Sequence, residues 1–501
     1  MTLEVKNQMH YKAMGYGPND SFIAKGENHG LKKNTLSAIS IIFFIIAAAS
    51  PLTGVIAIVP IMISLGNGSA SSWDFLLTAA VLLIFAVGYI AMSKKITNAG
   101  ALYSFVTAGL GRSVGLGTAT LTIFAYTSIQ AGLYGGFGYY AHALFPTIMG
   151  FSIPWWLYAL AAVICCLALA LHGVHSGAMV LGFLLVLETV MLIILGGGII
   201  SAHSHSHVTS PLLQLPSLSE VFSPGLGTGI MFACATFIGF EGGAIYSEEA
   251  KDPTKTISRA TYSSVIFMAI IYFVVAWLIT GALGYQEAPR IANEQSGNLI
   301  FYVANKVLGP SSTLFFNIFI ITSLFAAIVT FHNNIARYFY TLGRQGLVWK
   351  ALGYTRKKKQ TPYIASFVQS AIAILFILAF TFLKLDPYNT LFAWMTGAGT
   401  IAIVLAQTLS AVAIFFYFRK DKSDRRVWHT IIAPVLAIVG LCCFLYLTVT
   451  STKLLLGVGD AGSIIFNLAI LCFFVLGVVY SLYLKKNAPL KYSKLNNLVV
   501  D

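Results

Sequence analysis

The chain has 501 residues, of which 57% are hydrophobic and 10% charged, and its mean hydropathy is +0.80. This composition excludes a soluble globular protein and indicates a membrane protein with many spans. The formal net charge of +14 would suit a nucleic-acid partner, but the basic residues follow the topology of the chain, so we predict no nucleic-acid binding.

Long apolar runs predict an all-α polytopic membrane protein with twelve transmembrane helices. A bilayer core of about 30 Å takes roughly 20 helical residues, and short alternating strands typical of a barrel are not seen. The predicted spans are 37–65, 73–93, 114–143, 155–172, 176–201, 226–246, 260–284, 312–334, 362–383, 388–417, 429–450 and 463–484.

The charge distribution predicts the orientation. With both termini in the cytoplasm, 27 of the 31 Lys and Arg residues lie on the cytoplasmic side. Those on the outer side are Arg290, Lys306, Lys384 and Lys453. This is the positive-inside pattern. We therefore expect a multi-pass protein of the plasma membrane, of the bacterial inner-membrane type, with no removable signal peptide in residues 1–36.

Two predicted spans are interrupted near their middle. The first carries Ser50, Pro51, Thr53 and Gly54, and the sixth reads "ATFIGFEGGAIY" over 235–246. Proline removes a backbone donor and glycine weakens a helix, so both spans should unwind there. Because the breaks are five spans apart, they predict an inverted-topology repeat around a midplane binding site.

The repeat implies an organisation in five parts. The predicted parts are a cytoplasmic amino-terminal segment 1–36, a first repeat 37–201, a second repeat 226–417, two further spans in 429–484, and a cytoplasmic tail 485–501.

Two carboxyl side chains lie in the interior of the predicted spans, while Asp74 and Asp386 lie at span edges. An ionisable group at the bilayer centre costs about 2.5–3.5 kcal/mol on insertion scales, so it needs a partner or a role. Glu188 is a candidate proton carrier, and the alternative is a protonated packing residue. Glu241 follows the sixth-span break, where it is a candidate to contact substrate or to satisfy freed backbone N–H groups.

Other polar groups have two interpretations each. Thr322 and Ser323 are candidates for a sodium site near Ser50, or they bond back to their own helix. The segment 247–259 is a candidate inner-gate latch or a solvated loop. The histidines in 203–207 and at 172, 175 and 332 are interpreted as loop and interfacial packing residues. No metal quartet, phosphate loop or metalloprotease motif is present, so we predict no metal, no cofactor and no enzyme activity.

Three motifs resemble the amino acid, polyamine and organocation (APC) superfamily of permeases. They are "FIGFEGGAIYSEEAKDPTKTISRAT" after the sixth span, "FHNNIARYFYTLGRQGLVWKALG" followed by "TPYIA" (331–365), and "NAGALYSFVTAGLG" (98–111). The resemblance implies a LeuT-like fold, with a five-plus-five inverted repeat, broken helices 1 and 6, and two added helices.

The resemblance also implies a substrate site. The first break would receive a carboxylate, the sixth would receive an ammonium group and supply an aromatic gate, and the third span would form the facing wall. The implied residues are Ser50, Thr53, Gly54 and Val55 in the first span and Thr236, Phe237, Ile238, Gly239 and Phe240 in the sixth, with Glu241 beside them. For the third span we select Tyr126, Gln130 and Tyr134, because residues at i, i+4 and i+8 share one helix face. The alternative is that these three are polar packing residues.

The predicted function is secondary transport of an amino acid by alternating access, as a proton symporter or an exchanger. A zwitterion suits two breaks that attract opposite charges; the alternatives are a polyamine or organic-amine permease and a non-transporting amino acid sensor. Ala235 stands where an arginine/agmatine exchanger of the family has a tryptophan, so that substrate is not expected. Glu188 stands where some proton-coupled members have a lysine in place of sodium, so the coupling of those members cannot be carried over. We expect protons as the coupling ion, with sodium the weaker expectation.

Overall fold

The computed structural model describes residues 36–96, 100–172, 174–205, 212, 214–246, 249–356, 360–421 and 424–494. Within these residues the fold is helical, and the one extended pairing is a bridge between Leu36 and Ala250. The all-α prediction is therefore confirmed.

Eleven helical segments of the described chain are long and apolar enough to cross a membrane. They are Ala38–Leu65, Gly68–Ser93, Trp155–His172, Gly182–Ser204, Leu226–Ile245, Lys255–Leu283, Ser311–Arg344, Tyr363–Phe382, Pro387–Lys420, Trp428–Leu456 and Asp460–Asn487. The predicted third span lies in the 38-residue helix Arg112–Met149, which is long enough but less apolar. The prediction of twelve spans is thus close, and we number them first to twelfth in chain order.

Shorter helices connect the spans. They are Ala101–Leu110, Leu218–Val221, Ala288–Gln295, Leu299–Leu308 and Pro489–Lys494, with single 3₁₀ turns at Gly68–Ser71, Ser296–Asn298 and Lys350–Gly353.

The first span breaks where the sequence predicts. The helix Ala38–Ala49 ends at Ser50, whose φ of 50° and ψ of 74° are left-handed, and a new helix begins at Pro51. A left-handed non-glycine residue costs about 1–3 kcal/mol unless its surroundings hold it. Proline explains the restart, because its fixed φ suits the first turn of a helix. The restarted helix is π-helical over Gly54–Ile58 before Val59–Leu65.

The sixth span also breaks at its predicted position. The helix Leu226–Phe237 ends before Ile238, which is extended, and a one-turn helix follows over Gly242–Ile245. Gly239 between them has a φ of 109°, a conformation that side chains rarely allow. Its Cα packs so closely on the first span that an added Cβ would lie 2.5 Å from Cβ of Ala48. The two breaks therefore touch.

Burial places these two spans at the centre of the bundle. The most apolar stretch of the first span is 89% buried and that of the sixth is 94% buried, whereas that of the twelfth is 17% buried. The eighth and tenth spans each pack against the third span beside the breaks. The broken spans are thus surrounded by protein, where unwound backbone is tolerated at membrane depth.

Candidate functional site

A small closed cavity lies against the first-span break. Its water-accessible volume is about 20 Å³, which is room for about one water molecule. Its lining residues come from the first, third, sixth, eighth and tenth spans: Ala48, Ala49, Ser50, Thr53, Ile58, Ile129, Leu133, Ala235, Phe331, Phe392 and Thr396. The bundle is closed around this point, so an occupant larger than water requires the surrounding spans to separate.

Four side chains form a hydrogen-bonded chain from the cavity to the fifth span. Ser50 Oγ donates to the Ser323 carbonyl at 2.8 Å and lies 2.7 Å from Ser323 Oγ. Thr53 Oγ1 donates to Ser323 Oγ at 3.1 Å, and Ser323 Oγ donates to Glu188 Oε2 at 2.7 Å. All four residues are buried. These bonds hold the left-handed turn at Ser50 and connect the candidate proton carrier directly to the first break.

The adjacent hydroxyl behaves differently. Thr322 Oγ1 donates to the Phe319 carbonyl of its own helix at 2.9 Å. The back-bonding interpretation therefore holds for Thr322, whereas Ser323 bonds across spans because its side chain points toward the first break.

Glu241 is fully buried and closes its own break. Gly239 N–H donates to both of its carboxyl oxygens at 3.3 Å, and Tyr126 OH donates to Oε1 at 2.7 Å. Its backbone carbonyl accepts from Tyr89 OH. Glu241 does not line the cavity. In this conformation its carboxyl group satisfies freed backbone and joins the sixth span to the third.

Tyr272 of the seventh span joins the two breaks. Its hydroxyl donates to the Ala49 carbonyl at 2.9 Å and lies 3.5 Å from the Thr236 carbonyl. These are carbonyls that unwinding leaves without a helical partner. No local pattern singles out Tyr272, because it stands in a continuous apolar run.

The third span presents a different face from the predicted one. Ile129 and Leu133 line the cavity, four residues apart on one helix face. Gln130 instead donates to the Ile328 carbonyl at 3.1 Å and accepts from Gln369. Tyr134 is buried outside the cavity lining. Tyr126 and Gln130 therefore bond to neighbouring spans rather than facing the cavity.

The remaining sequence-predicted residues are buried beside the cavity. Gly54 faces the Tyr272 ring, and Val55 is fully buried. Thr236 bonds back to the Ala233 carbonyl at 2.7 Å, and Phe237 meets Tyr272 edge to face at 6.0 Å. Phe240 packs on Phe85 and Ile238 is buried, so neither lines the closed cavity.

A buried ion pair closes the end of the bundle that carries Leu36. Arg337 Nε donates to Glu249 Oε1 at 2.9 Å, and the two side chains are 1% and 6% exposed. The guanidinium also stacks over Tyr246 at 4.6 Å. Glu249 is held in turn by the bridge to Leu36. The predicted latch in 247–259 thus has its acidic partner at Glu249, and its basic partner lies on the eighth span.

The predicted histidines are placed unequally. His332 is 1% exposed within the eighth span, because that helix continues to Arg344 instead of ending near residue 334. His172 bonds to the Ala168 carbonyl of its own helix, while the side chain of His175 and residues 206–207 lie outside the described part of the chain. No metal-binding group of His, Cys, Asp or Glu occurs among the described residues.

A larger groove lies elsewhere. It has a volume of about 630 Å³ between the third, fourth and eighth spans and is lined mainly by apolar side chains, including Phe145, Tyr158 and Phe325. Exposed Cys165 lies along it, on the face that meets lipid. An apolar groove facing lipid is ordinary for a membrane protein, so the small cavity at the breaks is the better candidate site.

Comparison with known families agrees with this geometry. The sequence model described as amino acid permease matches residues 34–478. The chain belongs to the amino acid permease family. The matched range includes both broken spans, the ion pair and the cavity. The predicted resemblance to APC-superfamily permeases is therefore confirmed.

Individual relatives differ in substrate. This permease is 24% identical over 353 residues to the low-affinity putrescine importer PlaP of Escherichia coli (strain K12), covering 69% of this chain and 75% of PlaP. It is 22% identical over 399 residues to the branched-chain amino acid permease BcaP of Bacillus subtilis (strain 168), covering 76% and 81% of the two chains.

A solved structure shares the fold. A mutant manganese transporter of Eremococcus coleocola aligns with a TM-score of 0.54 at 13% identity, covering 94% of this chain and 99% of that one. At this identity the likeness concerns the fold alone. Together with the two broken spans, it confirms the LeuT-like fold class.

Proposed function

We propose that this permease transports an amino acid by alternating access and binds it at the two helix breaks. The observation that carries the proposal is the closed cavity beside Ser50 and Thr53. Backbone N–H groups at the start of the restarted first-span helix suit a carboxylate. The unwound carbonyls of the sixth break suit an ammonium group. A zwitterion uses both.

The proposed contacts follow from this arrangement once the spans separate. Ser50, Thr53, Gly54 and Val55 bind the carboxylate. Thr236, Phe237, Ile238, Gly239 and Phe240 bind the ammonium group and cover it. Tyr126, Gln130 and Glu241 hold the adjoining backbone in place, in keeping with their hydrogen bonds to other spans.

The cavity wall supports an apolar substrate side chain. Apart from the hydroxyls of Ser50, Thr53 and Thr396, the lining side chains are aliphatic or aromatic. None of them is charged. Among amino acids, those with apolar side chains therefore fit best, because an amine or carboxylate there would lose its hydration without a partner.

Glu188 is the proposed coupling residue. Its carboxyl group accepts a hydrogen bond from Ser323, which also bonds to both hydroxyls of the first break. A proton bound or released at Glu188 changes the charge at the end of this chain, and so changes what the break presents to a substrate carboxylate. We propose proton symport or proton-linked exchange on this ground.

The proposed orientation rests on charge. With 27 of the 31 Lys and Arg residues on the side of the termini, that side is the cytoplasm of a plasma-membrane protein. The ion pair of Arg337 and Glu249 is then an inner gate. Residues 37–201 and 226–417 are proposed as the two inverted repeats, since each begins with a broken span.

A polyamine is the second candidate, because PlaP is a putrescine importer and shares 24% identity. A diamine would need acidic side chains at the site. Glu188 and Glu241 are bonded to other residues and do not line the cavity, which favours the amino acid.

The experiment is thermal stabilisation of the purified permease by the twenty amino acids, their decarboxylated amines and polyamines, followed by uptake into proteoliposomes. We expect stabilisation by apolar amino acids and none by the matched amines. Stabilisation by amines alone would establish the second candidate. Binding without uptake would identify a sensor and contradict transport.

A further inference from the structure

A third carboxyl group is buried in the membrane-spanning helices, away from the cavity. Asp74 begins the second span and is 0% exposed. Among the described residues, Asp74 is the one buried aspartate. The transport site proposed above does not use it.

The Asp74 carboxyl group accepts a single side-chain hydrogen bond in the described structure. Asn67 Nδ2 donates to Oδ1 at 3.0 Å, while Oδ2 is buried without a hydrogen-bond partner. Oδ2 lies over the Cα of Gly229 in the sixth span, where an added Cβ would be 2.0 Å away. Asn67 Oδ1 faces the same position at 2.8 Å, so acceptor oxygens of both residues converge on a glycine that offers neither of them a side-chain donor. An ionised carboxylate is badly placed beside another acceptor.

Charged groups on the neighbouring elements do not compensate. The sixth span contributes the buried Cys234 thiol, which carries no positive charge, and the seventh span packs Phe273 and Trp277 around Trp73. On the eleventh span Lys453 pairs with Asp460 at 2.7 Å.

Glu220 is near the same end of the bundle, but it is occupied elsewhere. On the helix Leu218–Val221 it is half-buried and bonds to Ser217. A buried carboxyl group without a cationic partner is more stable in its neutral form than in its charged form.

Asp74 also lies where three elements meet. Asn67, in the turn after the first span, donates from Nδ2 both to Asp74 and to the Val221 carbonyl before the sixth span, the latter at 3.1 Å. Ser71 donates to Asn67 Oδ1 at 3.1 Å and fixes that amide. The Asp74 carboxyl group therefore lies between the end of the first span and the start of the sixth span.

We propose that Asp74 is a proton-binding site distinct from Glu188. The proton bound at Asp74 stabilises the packing of the second span against the ends of the first and sixth spans. The proton on the carboxyl group removes the repulsion between its oxygens and Asn67 Oδ1. Loss of the proton leaves a buried charge that only separation of these spans can hydrate. In the proposed orientation this is the outer end of the bundle, so the proton holds the outer side closed.

Infrared spectroscopy of the purified permease tests whether the proton is bound. The difference spectrum of wild type minus Asp74→Asn should show the carbonyl band of a protonated carboxylic acid, which shifts in D₂O. The matched control is Asp386→Asn, because Asp386 accepts from two backbone N–H groups and should give a carboxylate band. A carboxylate band at Asp74 would overturn the proposal. If Asp74→Asn does not fold, wild type labelled with ¹³C-aspartate gives the same two outcomes.

Thermal unfolding across pH tests whether the proton at Asp74 stabilises this packing. Wild type should lose melting temperature relative to Asp74→Asn as pH rises, because the variant has no proton to lose there. Parallel pH profiles would contradict the role of the proton. Neither readout uses a substrate, so failure here leaves the proposed transport site untouched, and failure of transport leaves this site standing.

Discussion

The ring of Tyr272 lies directly against Gly54, so closely that a Cβ on Gly54 would be 2.4 Å from Tyr272 Cε1. The hydroxyl of the same tyrosine donates to the Ala49 carbonyl at 2.9 Å. Gly54 is thus the position that admits the ring, and the ring stabilises the carbonyl end of the first half-helix. The break in the first span is built jointly by the first and seventh spans.

Gly54→Leu is therefore expected to weaken substrate binding through Tyr272. Overpacking of this kind costs about 1–3 kcal/mol, or roughly a fivefold to hundredfold loss of affinity if it falls on the binding conformation. Thermal stabilisation by substrate measures the loss. Gly197→Ala is the matched control, since nothing lies within 4 Å of its Cβ position. Unchanged affinity in Gly54→Leu would move the site away from this break.

Gly239→Leu is expected to abolish binding for a different reason. Gly239 has a φ of 109°, and its added Cβ would meet Cβ of Ala48 at 2.5 Å. Both backbone strain and contact oppose any side chain, so the two breaks would be forced apart. The measurement is substrate binding at matched expression. Retained affinity would show that contact between the breaks is dispensable.

These two glycines also show how far the sequence reaches. Ser50, Pro51 and Gly239 reveal the breaks because proline and glycine act locally on the backbone. The rotation of the third span was not predictable in the same way. Its polar residues suggested a face with Gln130, but Gln369 and the Ile328 carbonyl satisfy that amide, and Ile129 and Leu133 turn to the cavity instead.

The cavity walls were hidden for a related reason. Phe331, Phe392 and Thr396 line the cavity from the eighth and tenth spans. No local feature of the sequence marks the cavity-facing side of these two spans, because packing between distant spans decides which side chain faces the site. Ser323 differs from Thr322 by the same rule, since one residue of rotation moves a hydroxyl from its own helix to the first break.

Glu188→Gln is expected to abolish accumulation driven by a pH gradient while sparing substrate exchange. Glutamine keeps the shape but cannot release a proton, so the chain through Ser323 loses its coupling charge. Proteoliposomes with an imposed pH gradient measure accumulation, and counterflow measures exchange. Thr322→Val serves as control, because the Thr322 hydroxyl bonds back to the Phe319 carbonyl of its own helix. Undiminished accumulation in Glu188→Gln would remove Glu188 from coupling.

Breaking the ion pair of Arg337 and Glu249 is expected to destabilise the end of the bundle that carries Leu36. Removing one member of a buried pair typically costs about 3–5 kcal/mol, because the other charge stays buried without a partner. Arg337→Gln and Glu249→Gln should each lower the melting temperature, and the double variant should lose less than the sum of the two. Additive losses would mean that the pair does not act as a unit.

Ala235→Leu tests the size of the substrate side chain. Ala235 lines the cavity, and the added carbons occupy space that the cavity of about 20 Å³ must otherwise gain on opening. We expect a large apolar amino acid to lose affinity at least tenfold more than a small one, because the added bulk meets only the distal part of the side chain. Competition binding with alanine against leucine measures the ratio. If Ala235→Leu weakens both amino acids equally, the side chain lies away from the sixth span, toward Ile129 and Leu133.

Thr396→Val is the companion variant. The buried Thr396 hydroxyl has no hydrogen-bond partner in the closed state, so an affinity loss shared equally by both substrates would assign that hydroxyl to their common backbone.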